Sequence, residues 1–109
     1  MSDARMLSHD VYFTLEDNSA EAIAALLDGC QKCLTGHPGT VFFGAGTLAS
    51  EYNRPVNDHD FDVALHVVFE SGEAHDAYQV SPRHKEFIET FSGNWKAVRV
   101  FDSWVQGQA

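Results

Sequence analysis

The 109 residues carry sixteen acids against seven bases, a net charge of −9, with 44% hydrophobic and 21% charged side chains. A chain of this length makes one domain, spanning residues 1–109, and buries roughly two-thirds of its unfolded surface, enough to fold alone. The acidic balance and the scattered bases argue against a nucleic-acid partner and an anionic membrane surface, since both require a basic face.

Apolar runs such as Ala22 to Leu27 are too short to span a bilayer. Met1 to Arg5 lead into a strand pattern without an apolar signal core, so the expected location is the cytoplasm.

Leu7, His9, Val11, Phe13 and Leu15 alternate with Ser8, Asp10, Tyr12 and Thr14, the pattern of a strand with one apolar face that includes a histidine. Asn18 followed by Glu21 suggests a capping box for a helix that Gly36 stops, with Ile23, Leu26, Leu27 and Cys30 as its buried stripe. Cys30 and Cys33 fall late in that helix. Their spacing suits neither a disulfide nor the redox Cys-x-x-Cys at a helix start, and free, partly buried thiols are expected.

His37-Pro38-Gly39 reads as a turn into a strand over Thr40 to Leu48, apolar on both faces around Phe42 and Phe43. Gly44 and Gly46 within it suggest a bulge or close approach of another backbone; a dinucleotide loop would need a third glycine and a following helix. Ala49 to Asp60 is a polar loop, and Phe61, Val63, Leu65, Val67 and Phe69 alternate as a third strand. Ser71 caps a second helix through Val80, Pro82 interrupts it, and a shorter helix continues to about Phe91. There His84, Phe87, Ile88 and Phe91 share one stripe at i, i+3, i+4 and i+7. Ser92-Gly93-Asn94 turns the chain into a last strand, Trp95 to Val105.

The order β-α-β-β-α-β is the split βαβ plan of an α+β ferredoxin-like protomer. Its helices cover one face of the antiparallel sheet, and the apolar groups on the other face call for a partner, expected to be a second copy packing sheet to sheet.

His9-Asp10-Val11-Tyr12-Phe13, Phe61-Asp62-Val63-Ala64-Leu65, Phe69-Glu70-Ser71, the run from Ala77 to Phe87 and the terminal Val100-Phe101-Asp102 together resemble the stress-responsive dimeric α/β-barrel (Dabb) family, over about His9 to Trp104. The resemblance implies a homodimer whose two sheets close a barrel. The family's helix-breaking segment reads His-Pro-x-His; Ser81 stands here in place of the first histidine, and His84 retains the second. By similarity to the plant polyketide cyclase that makes olivetolic acid, His84 would be a catalytic base, Tyr78 its partner and His9 a further site residue. A near-neutral imidazole suits proton abstraction beside a carbonyl, and a phenol suits the developing oxyanion.

These readings converge on a small apolar or aromatic carbonyl ligand held between sheet and helices, lined by Phe13, Phe87, Ile88 and Phe91. Any reaction would be that of a cofactor-independent lyase, cyclase or isomerase. The alternative is a non-catalytic stress-associated dimer. No metal is expected. Cys30, Cys33 and His37 lack the second ligand pair that structural zinc requires, and His59, Asp60 and Asp62 read as a solvated strand entry. Glu70, Glu73, Glu86 and Glu89 read as solubility charges, and Ser81 as the residue that ends a helix before Pro82.

Overall fold

A computed structural model describes residues 5–107. The alternating segments become β1 (Met6–Leu15), β2 (Thr40–Thr47), β3 (Val63–Phe69) and β4 (Trp95–Val105). They form one antiparallel sheet in the order β2-β3-β1-β4. Helices α1 (Ala20–Cys33), α2 (Gly72–Gln79) and α3 (Pro82–Phe91) complete the ferredoxin-like plan, with a 3-10 turn at Ser92–Asn94.

One sheet face packs under the helices. Leu7, Val11, Phe13 and Leu15 of β1 join Val63, Leu65, Val67 and Phe69 of β3 and Leu26, Cys30 and Leu34 of the α1 side in one core. Fully burying such a side chain contributes about 1.5–3 kcal/mol. Cross-strand register puts Val98, Val100, Asp102 and Trp104 on this face, opposite Phe13, Val11, His9 and Leu7. Phe43 and Ala45 face the same way, opposite Val67 and Leu65.

The outer face carries Tyr12, His66, Phe42 and Phe101, and Phe42 and Phe101 are exposed. Tyr12 stacks edge-on against Phe61, His66 and Phe101. His66 Nδ1–H donates to Asp10 Oδ1 at 2.6 Å on that face.

Several boundaries differ from expectation for local reasons. Ser19, not Asn18, caps α1, its hydroxyl accepting from Ala22 N at 3.2 Å. The Asn18 amide instead donates to Asp62 Oδ1, tying the start of α1 to the entry of β3. That entry explains why β3 starts at Val63 rather than Phe61: the Asp62 carboxylate accepts from Leu15 N at 2.8 Å, where a ladder carbonyl would otherwise sit. The bulge in β2 lies between Thr40 and Phe42, not at Gly44 or Gly46. Gly36 follows α1 with φ +75°, and Gly39, at φ +82°, lies so close to α2 that a Cβ there would meet Ala74 Cβ at 2.5 Å. These two positions need glycine.

Candidate functional site

The break between α2 and α3 is built by one side chain. Ser81 Oγ donates to Tyr78 O at 2.9 Å, closing α2, and accepts from His84 N at 3.2 Å, opening α3. Pro82 follows at the first helical position, where its missing N–H costs nothing. Ser81 therefore begins a helix as well as ending one. The two-sided cap holds Tyr78 and His84 edge to face, with ring centroids 4.8 Å apart.

Beneath them lies a cavity of about 390 Å³ between sheet and helices. His9, Phe13, Tyr78, His84, Phe87 and Ile88 all border it, as do Val11, Leu65, Trp95, Val98 and Val100. Phe91 does not. Its ring turns toward α1, where a Cβ on Gly29 would lie 2.2 Å from Phe91 Cε2, and it reaches the cavity only through its contact with Phe87. The last turn of α3 packs on α1 rather than on the sheet.

One polar cluster gathers where β1 and β4 meet α2. His9, 5% exposed, donates from Nδ1–H to Asp102 Oδ1 at 2.6 Å, and the Asp102 side chain is 42% exposed at the rim. His75 Nδ1–H donates to Asp76 Oδ1 at 3.1 Å. With Nδ1–H given to a carboxylate, the Nε2 of each neutral ring is an acceptor. The Gln79 amide nitrogen lies between them, 3.5 Å from His9 Nε2 and 3.2 Å from His75 Nε2, and donates to both.

Tyr78 Oη and His84 Nδ1 are buried and have no hydrogen-bond partner among the described residues. Leaving such a group unpaired costs roughly 1–3 kcal/mol, so a polar atom of a ligand would be well received there. Burial pushes the Tyr78 phenol well above its ordinary value, so it stays a donor. Burial also lowers the His84 pKa, and the imidazoles of His9, His37 and His75 lower it further; His84 favours the neutral ring.

The other titratable clusters are engaged elsewhere. His37, buried edge-on against Tyr78, donates from Nε2–H to Cys33 O at 2.8 Å, closing the end of α1. Burial holds the Cys30 thiol protonated, its pKa pushed up to about 12. His59 donates to Tyr52 O at 2.7 Å in the loop before β3. Among the described residues, the metal-capable side chains that gather are His9, His75 and Asp102, with ligand atoms within 4.8 Å of one another.

The stress responsive A/B barrel domain matches residues 7–105. The chain belongs to this family. No curated protein sequence matches it. Three solved structures similar to this Dabb domain fix the fold. A Dabb-family protein with a ferredoxin-like fold from Mesorhizobium loti is 21% identical, covering 94% of this chain and 99% of that one, with a TM-score of 0.77. A dimeric ferredoxin-like protein of unknown function from Thermobifida fusca is 12% identical over 96% and 95% of the two chains, TM-score 0.77. Hydroxynitrile lyase from Passiflora edulis is 16% identical over 97% and 98%, TM-score 0.75.

Sequence reasoning missed three polar residues of the Dabb cavity. Asp102 follows Val98 and Val100 at period two, so strand alternation already put it on the inner face opposite His9. His75 and Gln79 flank Tyr78 at i−3 and i+1 on a helix only eight residues long, too short for its pattern to show which polar positions turn inward. His37 is brought to Tyr78 by a turn after α1, and no sequence spacing signals that contact.

Proposed function

We propose that this Dabb domain binds a small apolar or aromatic carbonyl compound and removes or returns a proton beside its carbonyl, as a cofactor-independent lyase, cyclase or isomerase. The carrying observation is the arrangement around one apolar cavity: a His–Asp pair on the sheet side faces two unpartnered polar atoms, Tyr78 Oη and His84 Nδ1, on the helix side.

The geometry supports His9 as the base better than His84. A general base works best when a second group fixes its tautomer. Asp102 does this for His9, leaving Nε2 to accept a proton, held otherwise by a long 3.5 Å contact to Gln79. The charge formed on the ring would lie against the Asp102 carboxylate. Neutral His84 and the Tyr78 phenol then act as donors to the developing oxyanion. Phe13, Phe87 and Ile88 shape the apolar remainder of the pocket, while Phe91 supports it from behind. That a protein of this fold is named a hydroxynitrile lyase supports proton-transfer chemistry on the scaffold.

The domain acts as a homodimer joined through the outer sheet face. Exposed Phe42 and Phe101 on that face, and relatives described as dimeric, support this assembly. Free thiols at Cys30 and Cys33 suit a reducing cytoplasm.

The test follows exchange of α-protons into D₂O by NMR for a panel of small aryl ketones and aldehydes. We expect catalysed exchange for some members, falling roughly 10²–10⁴-fold in His9→Ala and strongly in Asp102→Asn. No exchange above buffer, with no ligand-induced shift of cavity resonances, would leave the second reading. In that reading the domain is a non-catalytic dimer, favoured by the packing of Tyr78 beneath Phe69 and His37.

A further inference from the structure

The wall that carries His9 has a second capacity, independent of proton transfer. His9 projects from β1 and His75 from α2, with ring centroids 5.0 Å apart. Each ring gives its Nδ1–H to a carboxylate, His9 to Asp102 at 2.6 Å and His75 to Asp76 at 3.1 Å. Imidazole ligands of metal ions are generally oriented this way, with a carboxylate behind the ring raising its basicity. The Gln79 amide nitrogen lies within hydrogen-bond distance of both Nε2 atoms, at 3.5 and 3.2 Å. Rotating that amide about its last bond replaces NH₂ by Oε1. The bridging donor then becomes a third ligand.

We propose that His9 Nε2, His75 Nε2 and Gln79 Oε1 bind one divalent transition-metal ion of the zinc class, with its remaining coordination positions open to the cavity. Two imidazoles and an amide oxygen are a borderline ligand set suited to Zn²⁺, Ni²⁺ or Co²⁺. Mg²⁺ and Ca²⁺ prefer oxygen ligands and, for Mg²⁺, retained water. Ligands around zinc at about 2.0–2.1 Å stand roughly 3.3 Å apart, close to the 3.5 and 3.2 Å that separate the Gln79 amide from the two Nε2 atoms. The rotation falls to His75 and Gln79, half-buried side chains on the short α2 helix, while the deeply held His9 stays in place. An ion here would occupy the nitrogen that the proton-transfer reading assigns to the base, so zinc should inhibit that chemistry rather than drive it.

The test is metal binding by tag-free full-length protein, without any carbonyl compound. Co²⁺ titration followed by its visible d–d bands, and Zn²⁺ equilibrium dialysis, should give one ion per protomer, undisturbed by excess Mg²⁺. His75→Ala should weaken binding more than tenfold, and Asp102→Asn by roughly 10–100-fold through the orientation of His9. Gln79→Glu, which puts a carboxylate between the two rings, should tighten it more than tenfold. His66→Ala and Cys33→Ser should leave it unchanged, and circular dichroism checks that each variant is folded. Absence of stoichiometric binding overturns the proposal. So does binding that ignores both His75→Ala and Gln79→Glu, or that is lost in His66→Ala or Cys33→Ser. Proton exchange without metal binding would refute this site alone, and binding without exchange would refute only the catalytic reading.

Discussion

Gly29→Ala sets two opposing effects against each other. Alanine in the interior of α1 gains about 1 kcal/mol over glycine in helix propensity. A Cβ at this position, however, would stand 2.2 Å from Phe91 Cε2 and 2.3 Å from Cζ, about 1.3 Å inside the ~3.5 Å optimum for carbon contacts. The ring must move, and its other side rests on Phe87, 5.3 Å away between centroids. Overpacking of this kind costs about 1–3 kcal/mol. The net is a loss of about 1 kcal/mol, or roughly 4–8 °C in Tm for a domain near this size. Thermal and urea unfolding of Gly29→Ala, Phe91→Ala and the double variant measure it. Without the Phe91 ring, Gly29→Ala should stabilise. A rise in Tm for Gly29→Ala alone, or the same effect in both backgrounds, would refute the reasoning. Because Phe87 borders the cavity, the single variant should also change its ligand affinity.

Three further outcomes follow from the same geometry. The folded-state pKa of His84 lies below its ordinary 6.5, so the unfolded chain takes the proton more readily. Its contribution to stability is therefore intact above pH 6.5 and lost as pH falls through the folded value; Tm scans should show a drop below neutrality that flattens in His84→Gln, and an unchanged slope would contradict the assignment. Ser81→Ala removes a cap and should cost about 1 kcal/mol by chemical denaturation, with altered chemical shifts at both Tyr78 and His84, whereas a change confined to α2 or α3 alone would count against the two-sided cap. Phe101→Glu puts a charge on the exposed outer face and should yield monomers in sedimentation velocity; a dimer of unchanged mass would move the interface elsewhere.

The strands were legible because one buried face imposes period two. Phe13, Phe87 and His84 lie where that logic puts them. Phe91 shares their stripe on α3, yet faces α1, because periodicity identifies a face and not which neighbour covers each turn of it. The cap of α1 escaped because Asn18 and Ser19 are both good caps, and the choice rests on Asp62, distant in sequence. The polar wall was hardest to read. Asp102 obeys strand alternation, but a carboxylate on an inner face gains meaning only when cross-strand pairing sets it beside His9.

The edge position of β4 has one more consequence. Val98 and Val100 border the cavity while remaining 39% and 49% exposed, whereas Val63, Val67 and Phe69 beneath the helices are fully enclosed. Val11, Phe13 and Leu65 serve both core and cavity, whereas the two β4 valines border the cavity from outside the buried core. Substitutions at the two β4 valines should reshape the recess at little cost to the core, which leaves this scaffold free to acquire new ligands by drift along a single edge.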